Sequence, residues 1–471
     1  MSERLWQWRD LVAAAQGHAD GTPGWRIAGF SIDTRTLRPG DVFVALQDAR
    51  DGHEFVSAAF KAGAAAAVVR TTYGRRAGDG ALLRSPDPLR ALEAIGRAAR
   101  ARSHARIAAV TGSAGKTGTK EMLRLCLEAT APTHASEKSY NNQWGVPLTL
   151  ARMPPEAALG VFEIGMNHAG EITPLAGMVT PHVVVITTVE PVHLGQFGSV
   201  EAIAEAKAEI LHGLVPGGSA ILPRDNPHFA LLRERATAVG ARIVTFGYHE
   251  EADVRCVQAS LDAKGAAVIA GVGSQRFPYR LGAPGEHYVR NSLAVLATLL
   301  ALGADAMRCL PALARIAAPV GRGARTLLET GAGQILLIDE SYNANPASVR
   351  AALAAMATVP REDFARRVVV LGDMLELGEA AAPMHLGLKE AVDAAGADLV
   401  LACGPMMQLL LEAVEPARRG AWAADAAGLV APLLAAVQPG DVVMIKGSLG
   451  TRMAPLVEAM LARLGAGPPG G

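Results

Sequence analysis

Residues 110–117 read Val-Thr-Gly-Ser-Ala-Gly-Lys-Thr, between the apolar run Arg106–Val110 and helical sequence from Thr117 to Ala129. Strand, glycine turn and helix in that order aim backbone N–H groups and a helix N-terminus at phosphate. Gly112, Ser113, Ala114, Gly115 and Gly118 supply the close backbone. Lys116 supplies an ammonium for the β and γ phosphates, and Thr117 a hydroxyl for Mg2+. The spacing is G-x-x-G-K-T, shorter than the full phosphate-loop pattern; the strand–loop–helix setting argues against a chance match. Glu163 ends the run Val161–Ile164 ahead of Gly165-Met-Asn-His168. A carboxylate at the C-terminal end of a strand, beside such a loop, suits Mg2+. His193 follows the run Val183–Val189 through Glu190-Pro-Val192; alone, a loop histidine is more often solvated than a ligand. Lys207 changes that weighting. The segment Val200–Leu214, capped by Ser199, carries an apolar stripe of Val200, Ile203, Ile210 and Leu214, and Lys207 fills the gap in it. A buried lysine is costly unless paired, neutralised or chemically modified. The bland alternative is a stem that snorkels to the surface. A desolvated amine reacts with CO2 to a carbamate (an N6-carboxylated lysine), which offers oxygen to a second Mg2+.

These groups need a scaffold, and the pattern supplies one. Asp41–Leu46 and Ala64–Arg70 read as strands around a helix Phe55–Ala62; Ser85-Pro-Asp-Pro88 opens a helix to about Arg102. Strands and helices then alternate, with helices at Val200–Leu214 and Asn291–Leu302. Strands return at Gln334–Asp339, Arg367–Leu371, Asp398–Ala402 and Asp441–Ile445. Such alternation predicts an α/β protein built on mostly parallel, doubly wound sheets. At roughly 150 residues per domain, 471 residues give three domains. We expect a small N-terminal α/β domain over 1–85, a central phosphate-loop domain over 86–320 and a C-terminal Rossmann-like domain over 321–471. The tail 465–471 is expected to be disordered.

Composition narrows the function. Half the residues are hydrophobic but only 4% aromatic, so the cores are built from Ala, Val, Leu and Ile. The 45 basic residues balance 45 acidic ones, which argues against a nucleic-acid partner. Four scattered cysteines argue against a disulfide framework or structural zinc. The first residues lack a signal-peptide core, and no apolar run reaches the roughly 20 residues of a membrane span. A cytoplasmic protein without membrane insertion, needing no more than a monomer, is expected. Ile335–Glu340 looks like the acidic strand of a motor ATPase but lies far from Lys116 in sequence, and no Asn-Lys-x-Asp guanine motif is present.

Further motifs are Ser31-Ile-Asp-Thr-Arg35, Pro39–Leu46, Asp51-Gly-His-Glu-Phe55, Asn141–Leu150, Glu163–Ile172, Ser341–Pro346, Leu371–Gly378 and Lys446–Arg452. With the phosphate loop, Glu163, His193 and Lys207, they resemble the Mur ligases of peptidoglycan synthesis across nearly the whole chain. Gly118 stands where that family often has Ser or Thr, and Glu340 where it often has Asp.

The resemblance implies an ATP-dependent amide ligase that joins D-Ala-D-Ala to UDP-MurNAc-tripeptide through an acyl phosphate. Thr117 and Glu163 hold one Mg2+ in that reading, His193 and carboxylated Lys207 a second. The first domain binds uridine nucleotide through Ser31, Asp33, Arg35, Asp51 and His53. Asn141 and Asn142 lie near sugar or peptide. Asn291 contacts adenine, Arg322 reaches phosphate, and Asp339, Tyr342, Asn343 and Asn345 close on ATP. Ser448 and Arg452 meet the peptide substrates. Bland roles stand beside these: a surface ion pair for Asp33 and Arg35, turn residues for Asn141 and Asn142, a helix cap for Asn291, a strand-end cap for Asp339, and a solvated helix start for Arg452. His385 and Cys403–Met407 read as structural.

Within the family, Tyr342–Pro346 and Leu371–Gly378 favour the dipeptide-adding branch. The preceding ligase, which adds diaminopimelate or lysine to UDP-MurNAc-dipeptide, carries Asp-Asn-Pro-Arg. Here the only Asp-Asn-Pro is 225–227, followed by His228. A folylpolyglutamate synthetase-like ligase has no use for this first domain. A plain ATPase or nucleotide-binding module leaves Glu163, His193 and Lys207 without a role. Whether the tripeptide ends in diaminopimelate or lysine stays open.

Overall fold

The structure, a computed structural model, describes residues 5–137, 139–192, 194–262, 264–317 and 321–464. His193, the tail 465–471 and residues 318–320, at the expected boundary between the second and third domains, therefore lie outside the described residues. Three mostly parallel sheets, of five, nine and six strands, follow one another along an α/β chain.

Their strands are apolar on both faces because helices cover both. In the first sheet Val42 and Val44 enter one core, while Phe43 and Ala45 face another. In the central sheet Ala108 and Val110 point one way and Ile107 and Ala109 the other. In the third, Val368 and Val370 alternate with Val369 and Leu371. This two-residue alternation is the geometry of an extended chain.

The first sheet runs Gly29–Ser31, Asp41–Val44, Ala66–Arg70, Ala81–Ser85 in parallel, closed by antiparallel His18–Asp20. The helix Pro88–Ala101, capped by Asp87, buries Ala91, Leu92, Ile95 and Ala99 in this sheet's core. In the central sheet Arg106–Thr111 lies between Leu159–Glu163 and Val183–Ile186, so Val110 faces Glu163 on one side and Val185 on the other. The loops leaving these three strand ends meet over the phosphate loop. The third sheet opens with the hairpin Ala324–Thr330 and Gly333–Glu340, then continues in parallel through Asp441–Lys446, Arg366–Gly372, Leu399–Cys403 and Arg419–Ala423.

Several elements differ from expectation. The strand expected over Val183–Val189 stops at Ile186, and the helix expected from Asn291 starts at Glu286. The helix expected over Val200–Leu214 is α-helical only to Ala208 and tightens to a 3-10 turn over Glu209–Gly213. There Glu209 turns back to accept from the N–H groups of Gly170, Ile172 and Thr173, capping the neighbouring helix. An antiparallel extension, Val254–Asp262, Gly265–Val272 and Gln275–Leu281, was not anticipated. The four cysteines are free thiols. Among the described residues no helix is long and apolar enough to cross a membrane.

Candidate active site

A cavity of about 970 Å3 opens above the phosphate loop and takes its walls from the helix Pro88–Ala101, the central sheet and the third sheet with their loops. Its floor is the loop itself. Gly112 adopts φ +146°, where a Cβ would sit 1.9 Å from Thr187 Oγ1; Gly115 adopts φ +82°, where a Cβ would sit 2.7 Å from Asn291 Nδ2. Only glycine fits either position. Ser113 ties the loop to its neighbour: its Oγ donates to the Glu190 carbonyl at 3.1 Å and accepts from the Glu190 N–H at 2.9 Å.

Lys116 opens the helix Lys116–Glu128 and folds back so that Nζ donates to the Gly112 carbonyl at 2.6 Å. Burial holds its pKa below the ordinary lysine value; Glu163 opposes that shift and Arg322 adds to it. Glu163 is fully buried. Its carboxylate accepts from Thr117 Oγ1 at 2.9 Å and from Asn141 Nδ2 at 2.7 Å. Asn291 lies inside its helix rather than at its cap, with its amide against Gly115.

Lys207 is 3% exposed, so the snorkelling alternative does not hold. Desolvation drives its pKa well below the ordinary lysine value, and the nearby Lys116 ammonium pushes the same way. Among the described residues it has no ion-pair partner. Nearby, Gly195 packs backbone to backbone on the third sheet's loop. Its N–H donates to the Glu376 carbonyl at 3.1 Å, and a Cβ on it would stand 3.2 Å from Gly378 N.

The C-terminal wall brings Arg322, Tyr342, Asn343 and Asn345 to the cavity, with the Arg322 guanidinium 4.2 Å from the Tyr342 ring centroid. Asp339 sits behind this wall. Its carboxylate accepts from the N–H of Gly321 at 2.9 Å and from Ser341 Oγ at 2.6 Å, latching the interdomain segment to its strand. Asn345 caps the helix Pro346–Ala357, and Asn142 accepts from the N–H groups of Trp144 and Gly145 while still lining the cavity.

Other expected residues stand apart from the cavity. Asp33 and Arg35 form an exposed ion pair at 2.6 Å, and Ser31 Oγ bonds the Asp33 backbone. His53 Nδ1 meets Asp51 at 2.6 Å, while its Nε2 accepts from the Arg70 N–H. Ser448 Oγ accepts from the Leu375 N–H, and Arg452 is exposed in a left-handed turn at φ +52°.

Three features were missed from sequence. Glu340 and Lys446 both line the cavity and pair at 3.0 Å, with Lys446 Nζ also donating to the Asn343 carbonyl. His287, one turn before Asn291, and Arg290, next to it in sequence, line it too, and His287 Nδ1 and Arg290 Nε are buried without partners among the described residues. The third is a charged stripe on the helix Pro88–Ala101. The i, i+3 and i+4 spacing around Asn291 held the signal for the second; nothing local links Glu340 to Lys446.

Residues 110–299 match the Mur ligase middle domain, and residues 325–449 the Mur ligase, glutamate ligase domain. The UDP-N-acetylmuramoyl-tripeptide–D-alanyl-D-alanine ligase of Escherichia coli is 33% identical over 464 residues, 98% of each chain. The solved UDP-N-acetylmuramoylalanyl-D-glutamyl-2,6-diaminopimelate–D-alanyl-D-alanyl ligase of Acinetobacter baumannii superposes with TM-score 0.81 at 30% identity, covering 98% of this chain and 100% of that one. The MurF ligase of Thermotoga maritima, solved in complex with ADP, shares the fold at TM-score 0.75 and 24% identity, covering 93% of this chain and 98% of that one. Motif, architecture and full-length similarity agree: the chain belongs to the Mur ligase family.

Proposed function

We propose that this enzyme is an ATP-dependent amide ligase that joins D-Ala-D-Ala to the terminal carboxylate of UDP-MurNAc-tripeptide. One observation carries the reading. A single cavity gathers a phosphate loop with its lysine and the buried Glu163 carboxylate, to which the Thr117 hydroxyl donates; Lys207, buried and without an ion-pair partner among the described residues, lies close enough to Lys116 to feel its charge. Full-length similarity to ligases named for this reaction supports it.

A carboxylate resists amines because oxide is a poor leaving group. Transfer of the ATP γ-phosphoryl to it gives an acyl phosphate. The dipeptide amine then attacks the carbonyl carbon, and phosphate departs with one former carboxylate oxygen. Such transfer needs charge neutralised and reactants placed more than covalent help from the protein. The loop's N–H groups and Lys116 face the phosphates, and Asn291 with His287 and Arg290 builds the nucleotide wall. The unpartnered Nδ1 and Nε atoms there are polar groups that a bound nucleotide would satisfy.

Mg2+ fits the donors present. Thr117 Oγ1 and Glu163 Oε2 are hard oxygens, buried beside the loop, of the kind Mg2+ takes together with substrate phosphates. When bound, the ion neutralises phosphate charge. Burial shifts Lys207 toward the free amine, the form that takes up CO2; as a carbamate, with His193, it would offer a second ion its ligands. The reading divides the work at 85/86 and 320/321: the first domain, through Ser31, Asp33, Arg35, Asp51 and His53, holds uridine nucleotide, the central one ATP, and the third, with Ser448 and Arg452, the incoming dipeptide. Closure about 317–323, with Asp339 as its latch, brings them together. One chain supplies every wall of the cavity, which favours a monomer, and nucleotide-activated substrates favour the cytoplasm.

The test is product mass after incubation with ATP, UDP-MurNAc-tripeptide and D-Ala-D-Ala. The expected product is the UDP-linked pentapeptide, with phosphate release requiring both partners. Phosphate release with neither partner would make the protein a plain ATPase.

A further inference from the structure

The helix Pro88–Ala101 turns Leu89, Arg90, Glu93 and Arg97 into the cavity. Its other side is fixed in the first core by Leu92, Ile95 and Ala99, so the stripe cannot rotate away. The three charged positions alternate in sign. Glu93 is the half-buried one, held by Arg90 Nη1 at 2.8 Å, with side chains 14% and 74% exposed. Arg97 is exposed and, among the described residues, has no ion-pair or hydrogen-bond partner. Glu93 and Arg97 are four apart, so they present a fixed carboxylate and a free guanidinium side by side on one helix face. Beyond them the wall is finished by Pro174, Leu175 and Met178.

A neighbouring anion and cation of this kind match a ligand group carrying an ammonium and a carboxylate on one carbon. A lone ammonium would satisfy Glu93 and leave Arg97 facing a like charge. Resting on the reading above, the question is which end of the peptide meets this wall. The terminal carboxylate must reach Lys116, so the third residue's side chain is the part left to explore the cavity. In 2,6-diaminopimelate, the residue named for the Acinetobacter baumannii ligase, that side chain ends in a second amino-acid group. In lysine it ends in ammonium alone.

We propose that Glu93 and Arg97, with Arg90 holding Glu93, read the far end of the tripeptide's third residue and select a diamino-diacid over lysine. Arg97 takes its carboxylate in a paired hydrogen bond, and Glu93 takes its ammonium. These are substrate-positioning and specificity residues; neither touches the reacting atoms.

The full-length enzyme is assayed with ATP, D-Ala-D-Ala and two UDP-MurNAc-tripeptides, one ending in diaminopimelate and one in lysine. The wild type should favour the first in kcat/KM by about 10- to 100-fold, the range for one charged hydrogen-bond set. Arg97→Ala should raise KM for the diaminopimelate peptide by a similar factor and, by removing the like charge, lower or hold the KM for the lysine peptide, with the KM for ATP unchanged. Arg97→Lys should restore part of the preference. Equal kcat/KM for the two peptides in the wild type, or an Arg97→Ala loss shared by both, overturns the assignment. If neither peptide is joined to D-Ala-D-Ala, the ligase reading itself fails. Binding of the two UDP-peptides, measured by calorimetry without ATP, then still decides between preference and indifference at this wall.

Discussion

The phosphate-loop wall and the loops of the first sheet are equally rich in distinctive residues, yet they are built differently. Around Lys116 the groups come from separate strand ends that the central sheet holds side by side: Val110 faces Glu163 and Val185 across the ladder. Their polar atoms point at one another and at a shared cavity. In the first sheet, Ser31, Asp33 and Arg35 satisfy one another within five residues, as do Asp51 and His53 within three. The first arrangement is organised for a ligand before it arrives. The second is complete in its absence and must exchange internal bonds for ligand bonds. Loss of a preorganised group should therefore strike turnover, whereas loss of a locally satisfied one should strike affinity.

Lys116→Ala gives the largest effect expected, a fall in kcat on the order of 10²–10³-fold with the KM for the UDP-peptide little changed, read by phosphate release. If affinity rather than turnover suffers, the contrast between the two regions is lost. Lys207→Ala comes next, losing on the order of 100-fold as expected for a group that completes a metal site. Formate or acetate should recover part of that activity by standing in for the carbamate oxygen. Failure of every short acid, with the fold intact, would count against the carbamate and leave the ligase untouched. Gly195→Val tests whether the central loop and the third sheet move as one. A side chain there props Gly378 away, and kcat should drop about tenfold through impaired closure. Scattering profiles should show the wild type compacting with ATP analogue and both substrates, and the variant failing to. Asp33→Ala sharpens the contrast from the other side: KM for the UDP-peptide should rise about tenfold while kcat and Tm hold, since an exposed ion pair stabilises by only ~0–1 kcal/mol.

The smallest effect is on stability. The pKa of Lys207 is lower in the folded chain than in the unfolded one, so the unfolded state binds more protons between those two values and stability rises with pH across that window. In bicarbonate-free buffer Lys207→Met should therefore raise Tm more near pH 7 than near pH 10. A gain equal at both values would mean that the amine is not desolvated.

The same contrast explains what the sequence disclosed. Lys116, Glu163 and Lys207 were legible because each breaks a local rule: glycines between strand and helix, an acid ending an apolar run, an amine in an apolar stripe. The alternation of strands and helices disclosed the α/β architecture. Pairings set by register rather than by neighbours were hidden. Glu340 meets Lys446 because two strands far apart in sequence run in parallel, with Glu340 opposite Lys446. Asp339 read as a nucleotide contact or a strand cap, and only the folded chain shows it latching Gly321. The 3-10 turn after Ala208 accompanies a long-range cap by Glu209, invisible in a helical pattern. The antiparallel extension was legible in part, for Gly273-Ser274 joins two of its strands in a two-residue turn, a hairpin signal.

The central claim is that the peptide carboxylate is phosphorylated before the amine attacks. Carrying 18O in the terminal carboxylate of UDP-MurNAc-tripeptide through one turnover with ATP and D-Ala-D-Ala tests it directly. The account predicts one 18O in the released phosphate for each amide formed; amide formation with unlabelled phosphate would contradict it.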